Sequence, residues 1–151
     1  MGAAVPPLVW ANRQRAVPAS ELLLPVAERT VARAWPGVVA ARWPGSVLGG
    51  LDSVGVVLVS DRRIAALHDE FMGDASPTDV ITFLHGEIVL SAETARRQAH
   101  KRGLPLPQEI ARYVVHGLLH LAGWSDTDPD SAAKMRGVQE KILRRAARGL
   151  C

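Results

Sequence analysis

Residues 54–59 read Val-Gly-Val-Val-Leu-Val, six consecutive positions without a polar side chain. A strand with one wet face alternates apolar and polar residues, so a run without alternation must be covered on both faces. The chain therefore has to build a sheet with other layers packed above and below this strand. Helical patterns supply those layers. Leu22, Val26, Arg29 and Arg33 recur at helical spacing over Glu21–Trp35, with Ser20 as the cap and Pro36-Gly37 as the stop. Ser60 or Asp61 caps a second helix to about Phe71, and Ser91 opens a third through about Lys101, ending at Gly103. Pro107 or Gln108 begins a fourth that reaches Leu121, with Gly123 placed to end it. Asp128-Pro129-Asp130 sets a capping acid, a proline at the first helical position and an acid in the first turn of a fifth, which runs to about Ala147. Shorter strands are expected at 7–11, 80–84 and 87–90, with a loop over 73–79. The expected architecture is α+β, a small mixed four-stranded sheet packed by about five helices, in one domain over residues 1–151.

A chain of 151 residues with 48% hydrophobic content can close such a core without covalent staples. Its single cysteine is Cys151, so an internal disulfide and a thiolate zinc cluster are both ruled out, and no disulfide-linked partner is expected. A reducing compartment suits that usage. Pro6 and Pro7 interrupt the N-terminal segment before any long apolar stretch, and no apolar run approaches the ~20 residues that span a bilayer. A cytoplasmic protein with no membrane partner is the expectation. Residues 1–100 carry nine basic and ten acidic side chains, and residues 101–151 carry nine and five. The second segment is thus the basic one, and 15 of the 18 basic residues in the chain are arginines, whose planar fork suits phosphate.

The chemistry concentrates in His116-Gly117-Leu118-Leu119-His120-Leu121-Ala122-Gly123-Trp124-Ser125-Asp126. Two histidines four apart stack on one face of a helix, the spacing that lets two imidazoles hold one ion. Gly123 lets the chain leave the helix and turn back, so that Asp126 can bring a carboxylate to the same ion. Three protein ligands leave a coordination position open for water, as in a catalytic site. One divalent ion per chain, zinc by donor type, is expected on His116, His120 and Asp126, with His85 the next candidate for the third ligand. The metalloproteases with H-E-x-x-H carry their general base one residue after the first ligand. That position is Gly117, which cannot act as acid or base. Arg112, one turn before His116 on the same helical face, is either a cation belonging to this site or a plain surface arginine.

This segment resembles the signature H-G-x-L-H-L-x-G-Y-D-H of the YbeY family of bacterial metal-dependent endoribonucleases. Ser76-Pro77-Thr78-Asp79-Val80-Ile81-Thr82-Phe83 is similar to the family's K-P-T-D-V-L-S-F. Gly86-Glu87-Ile88-Val89-Leu90-Ser91, followed by Thr94-Ala95-Arg96-Arg97-Gln98-Ala99, is similar to its G-D-I-V-I-S and T-A-R-R-Q-A. Met135 and Glu140-Lys141-Ile142-Leu143 resemble its final helix, so the likeness covers roughly residues 54–145. The resemblance implies single-strand-specific cleavage of RNA in 16S rRNA maturation and small-subunit quality control, with ribosomal RNA and the small ribosomal subunit as partners. It also makes Asp79 and Thr78 candidates for orienting roles, beside the alternative of a turn after Pro77. Two positions depart from the pattern. The family's third ligand is usually histidine where this chain has Asp126, and Phe71-Met72-Gly73 stands where the family commonly has Y-R-G, so that arginine is absent. A ribosome-assembly or RNA-binding module with a structural metal and lapsed catalysis, or a hydrolase acting on another substrate, would share the same ligands.

Overall fold

A computed structural model describes residues 6–74 and 78–148. Pro77, where the expected turn begins, part of the 73–79 loop and Cys151 lie outside the described residues, while Thr78 and Asp79 lie within them. Strands β1 (Leu8–Asn12), β2 (Val54–Val59), β3 (Val80–Phe83) and β4 (Glu87–Ser91) form one sheet in the order β1-β2-β4-β3. β1, β2 and β4 run parallel, and β3 pairs antiparallel with β4. The apolar run is an interior strand, flanked by β1 and β4. Its two faces enter different cores. Val54, Val56 and Leu58 join Ile88 and Leu90 in the main hydrophobic cluster, while Val57 and Val59 join Ile64, Ile81 and Val89 in a smaller one.

Helices cover both faces: a single turn α1 (Ala19–Leu22), then α2 (Leu24–Ala41), α3 (Asp61–Met72), α4 (Ala92–Arg102), α5 (Leu106–Leu121) and α6 (Pro129–Ala147). The mixed four-stranded sheet and the five longer helices are the α+β architecture expected from the sequence. Three caps are the ones the sequence marks. Ser60 accepts from the Arg63 amide at 3.1 Å, Ser91 from Thr94 at 3.2 Å and Asp128 from Ser131 at 2.9 Å.

Helix α2 departs from expectation at both ends. Ser20 lies inside the single turn α1 rather than capping a long helix, and the chain breaks at Leu23, whose φ is 49°. Pro25 accounts for the break, because its ring would meet the carbonyl four residues back and it has no amide to bond there. At position N2 of α2 that missing amide costs nothing. Pro36-Gly37 does not stop α2, which continues to Ala41. Val38 beyond it is fully buried, as are Val31 and Ala34 before it, so packing holds the helix through the proline. At Gly37 a Cβ would lie 3.0 Å from Ile142, so the glycine lets α6 approach closely.

Candidate metal centre

α5 is the innermost helix, with Leu118, Leu119 and Leu121 fully buried. His116 and His120 lie on its one polar stripe, with side chains 26% and 22% exposed. Position 117 faces the sheet, where a Cβ would stand 2.7 Å from Ile88. A glutamate there would collide with β4 instead of reaching the histidines, so the protease reading fails on packing as well as on chemistry.

The end of α5 determines where Asp126 goes. Gly123 takes φ +100°, a conformation glycine adopts without strain, and the Trp124 amide closes back on the Leu119 carbonyl at 3.0 Å. The Trp124 indole then donates to the Ala41 carbonyl at 2.8 Å, and its ring meets Trp43 edge-on. The turn is thereby fastened to the end of α2, and Asp126 folds back over the two histidines. Its Oδ2 lies 3.5 Å from His116 Nε2 and 3.3 Å from His120 Nε2, and the two Nε2 atoms are 3.1 Å apart.

The hydrogen bonds behind these atoms assign the tautomers. Gln139 on α6 donates its amide to Glu140 at 3.2 Å, so its carbonyl oxygen faces His116 Nδ1 at 2.7 Å. That nitrogen must carry the proton. His120 Nδ1 faces the Trp124 carbonyl at 3.0 Å and must also be protonated. In the neutral imidazoles both Nε2 atoms then present lone pairs to one another and to a carboxylate oxygen. Such a trio repels itself unless a cation sits among its members. Around a tetrahedral ion with bonds near ~2.0–2.1 Å, donors stand about 3.3–3.4 Å apart, which the three observed separations bracket. His116, His120 and Asp126 could therefore hold a metal ion. His85 is not among them, and stacks instead on Phe83.

Arg112 lines a cleft with His116 and Asp126, but its guanidinium is held at both ends, by Glu109 at 3.1 Å and by Glu140. Burial would push the Glu140 carboxyl up, and the hydrogen bonds from Arg112 and Gln139 outweigh it, holding the group below its ordinary range. An ionised Glu140 keeps the Gln139 amide in the orientation His116 requires. Asp79 lines the same cleft and the one on the far side of the histidines, and Thr78 lines only the latter. The sequence reading missed Gln139 and Glu140 as site residues. The available signal was a polar residue, Gln139, at the helical spacing of the apolar Met135, Ile142 and Ala146.

Replacing Gln139 with leucine leaves His116 Nδ1–H without an acceptor. Metal affinity is expected to fall about 10- to 100-fold, the range for such outer partners, while Gln139→Glu keeps it. Competition with a chromophoric chelator measures both variants, and unchanged affinity in Gln139→Leu would contradict the assigned network.

The family model for Endoribonuclease YbeY matches residues 46–147. A protein of that name from Symbiobacterium thermophilum is 32% identical over 157 aligned positions, covering 89% of this chain and 94% of that protein. Another, from Gluconobacter oxydans, is 35% identical and covers 80% of this chain and 74% of its own length. A third, from Synechococcus, is 40% identical over 106 residues, and the match spans 64% of that protein, just under two thirds. The solution structure of TM1509 from Thermotoga maritima superposes with a TM-score of 0.56 at 25% identity, covering 91% of this chain and 89% of the other. The family match takes in β2 through α6 with both histidines and Asp126, and the Symbiobacterium alignment extends it along nearly the whole chain, so this protein belongs to the endoribonuclease YbeY family.

Proposed function

We propose that this chain is a metal-dependent endoribonuclease, a hydrolase of phosphodiester bonds in single-stranded RNA. The observation that carries the reading is the arrangement of two Nε2 lone pairs and one carboxylate oxygen, each histidine fixed from behind, in a chain of this family. His116, His120 and Asp126 are the proposed ligands. Two nitrogens and one oxygen suit zinc, and three protein ligands keep a position open. A divalent ion held there supplies Lewis acidity toward a phosphoryl oxygen and lowers the pKa of bound water.

The surrounding side chains have separate proposed tasks. Gln139 and the Trp124 carbonyl hold the imidazoles in one tautomer. Arg112 acts as a positioning residue, since its charge is matched by Glu109 and Glu140 and its grip on Glu140 orients Gln139. Asp79, which lines both clefts, has the proposed task of orienting the attacking hydroxyl or water. The proposed substrate is ribosomal RNA of the small subunit, with 16S rRNA maturation and subunit quality control as the setting and the cytoplasm as the place. No helix among the described residues is long and apolar enough to cross a membrane.

The test is cleavage of one RNA sequence offered as a single strand and as a duplex, by protein as purified, after chelation, and after zinc is restored. Cleavage of the single strand alone, lost on chelation and regained with zinc, is the expected result. Stoichiometric metal without cleavage in any arm would favour an assembly module with a structural ion. Equal cutting of the duplex would overturn the single-strand assignment.

A further inference from the structure

Two clefts meet at the histidines and share Asp79, Val80, His116 and Asp126. The larger, about 510 Å³, lies toward α3 and β3 and is lined by Met72, Leu84 and Thr127 among others, with no arginine or lysine among its described lining residues. The smaller, about 300 Å³, lies between α5 and α6 and is lined by Arg102, Arg112 and Arg136. A strand whose phosphate sits at the cluster therefore meets guanidinium groups on one side only.

The three arginines are not equivalent. Arg112 is held by Glu109 and Glu140, and Arg102 pairs with the buried Glu109 at 3.3 Å. Arg136 is exposed and has no ion pair or hydrogen bond among the described residues. Its place on α6 is determined by its neighbours. Ala132, Met135, Arg136 and Gln139 line the cleft at i, i+3, i+4 and i+7, the spacing of one helical face. Gln139 touches His116, so Arg136 stands about one turn, ~5–6 Å, along the same face from the group that holds a candidate ligand. Tyr113 lines this cleft as well. Burial, then the charges of Glu109 and Asp79, push its phenol well above the ordinary range, so it stays a protonated, uncharged group.

We propose that the α5–α6 cleft is a phosphate subsite of the substrate groove, in which Arg136 contacts the phosphate next to the one at the histidine cluster. The proposal rests on the ribonuclease reading above and adds a direction to it. One flank of the strand is held through its backbone by a cation, and the other passes through a cleft without arginine or lysine.

The test uses the metal-loaded protein and a short single-stranded oligoribonucleotide, with kcat and KM measured from low to moderate salt. Arg136→Gln is expected to raise KM about two- to fivefold, the scale of one exposed charge contact. It should also flatten the log–log salt dependence of kcat/KM by about 0.7, the share of one phosphate contact on a single strand. kcat and bound metal should not change, and Arg136→Lys should keep the wild-type slope. Arg62→Gln, an exposed arginine on α3 away from both clefts, is the control and should leave the slope as it was. A slope in Arg136→Gln equal to that of Arg62→Gln overturns the subsite while the ribonuclease reading stands. Failure of the wild-type protein to bind or cut the oligoribonucleotide overturns both.

Discussion

His116→Ala and His120→Ala, made together, are expected to leave a folded protein that retains no stoichiometric metal and loses at least about a hundredfold of its RNA cleavage. The lower bound follows from the cost of outer partners, ~10- to 100-fold each, which removing the donors themselves must at least match. The fold should survive because neither imidazole is part of the apolar core; both are about three-quarters buried at a polar surface beside Asp126. Truncating them removes the hydrogen bonds to Gln139 and to the Trp124 carbonyl, about 0.5–1.5 kcal/mol each, so without metal the double variant should be modestly less stable than the parent and still folded. Asp126→Ala should lose less metal than the double histidine variant, because it removes one donor of three rather than two, and from a side chain 43% exposed on a turn. Metal content after dialysis, cleavage of a single-stranded RNA and thermal melting with and without added zinc separate these effects. Stoichiometric metal in the double variant would mean that the cluster is not the site.

The cluster was legible in the sequence because its parts are local. His116, His120, Gly123 and Asp126 fall within eleven residues, and helical periodicity plus one left-handed glycine is enough to bring them together. The unalternating β2 likewise announced a strand with both faces covered. Distant pairings were not legible. Gln139 reaches His116 from 23 residues away and Glu140 reaches Arg112 from 28, and nothing in the spacing of either helix says which faces meet. For that reason Arg112 reads in the sequence as a free cation and in the structure as a matched one. Pro36 misled for a related reason. Local propensity ends a helix there, whereas the burial of Val38 against other elements extends it.

Gly117 shows the same divide and carries the largest expected effect on stability. In sequence it is the missing general base of a protease motif; in the structure it is where α5 touches the sheet. A Cβ at 117 would lie 2.7, 2.8 and 3.0 Å from the Cδ1, Cγ1 and Cγ2 atoms of Ile88, which is itself fully buried on β4. Gly117→Ala should therefore destabilise the protein by about 1–3 kcal/mol through overpacking, against the ~1 kcal/mol that alanine gains as a helix former. Gly117→Glu adds a buried charge with no partner and should not yield folded protein. Ile88→Ala removes all three clashing atoms at a cost of about 2–5 kcal/mol on its own. In the double variant the added methyl occupies part of the space vacated, so the two losses should fall short of additive by about 1 kcal/mol or more. Because Gly117 follows His116 directly, a helix lifted off β4 carries that ligand away from Asp126. Metal affinity should then fall in Gly117→Ala and recover in the Gly117→Ala/Ile88→Ala pair, measured by denaturant melts and zinc competition on the same samples. A Gly117→Ala protein as stable as the parent would mean that Ile88 yields without cost, and that close packing of α5 on β4 is not what requires glycine here.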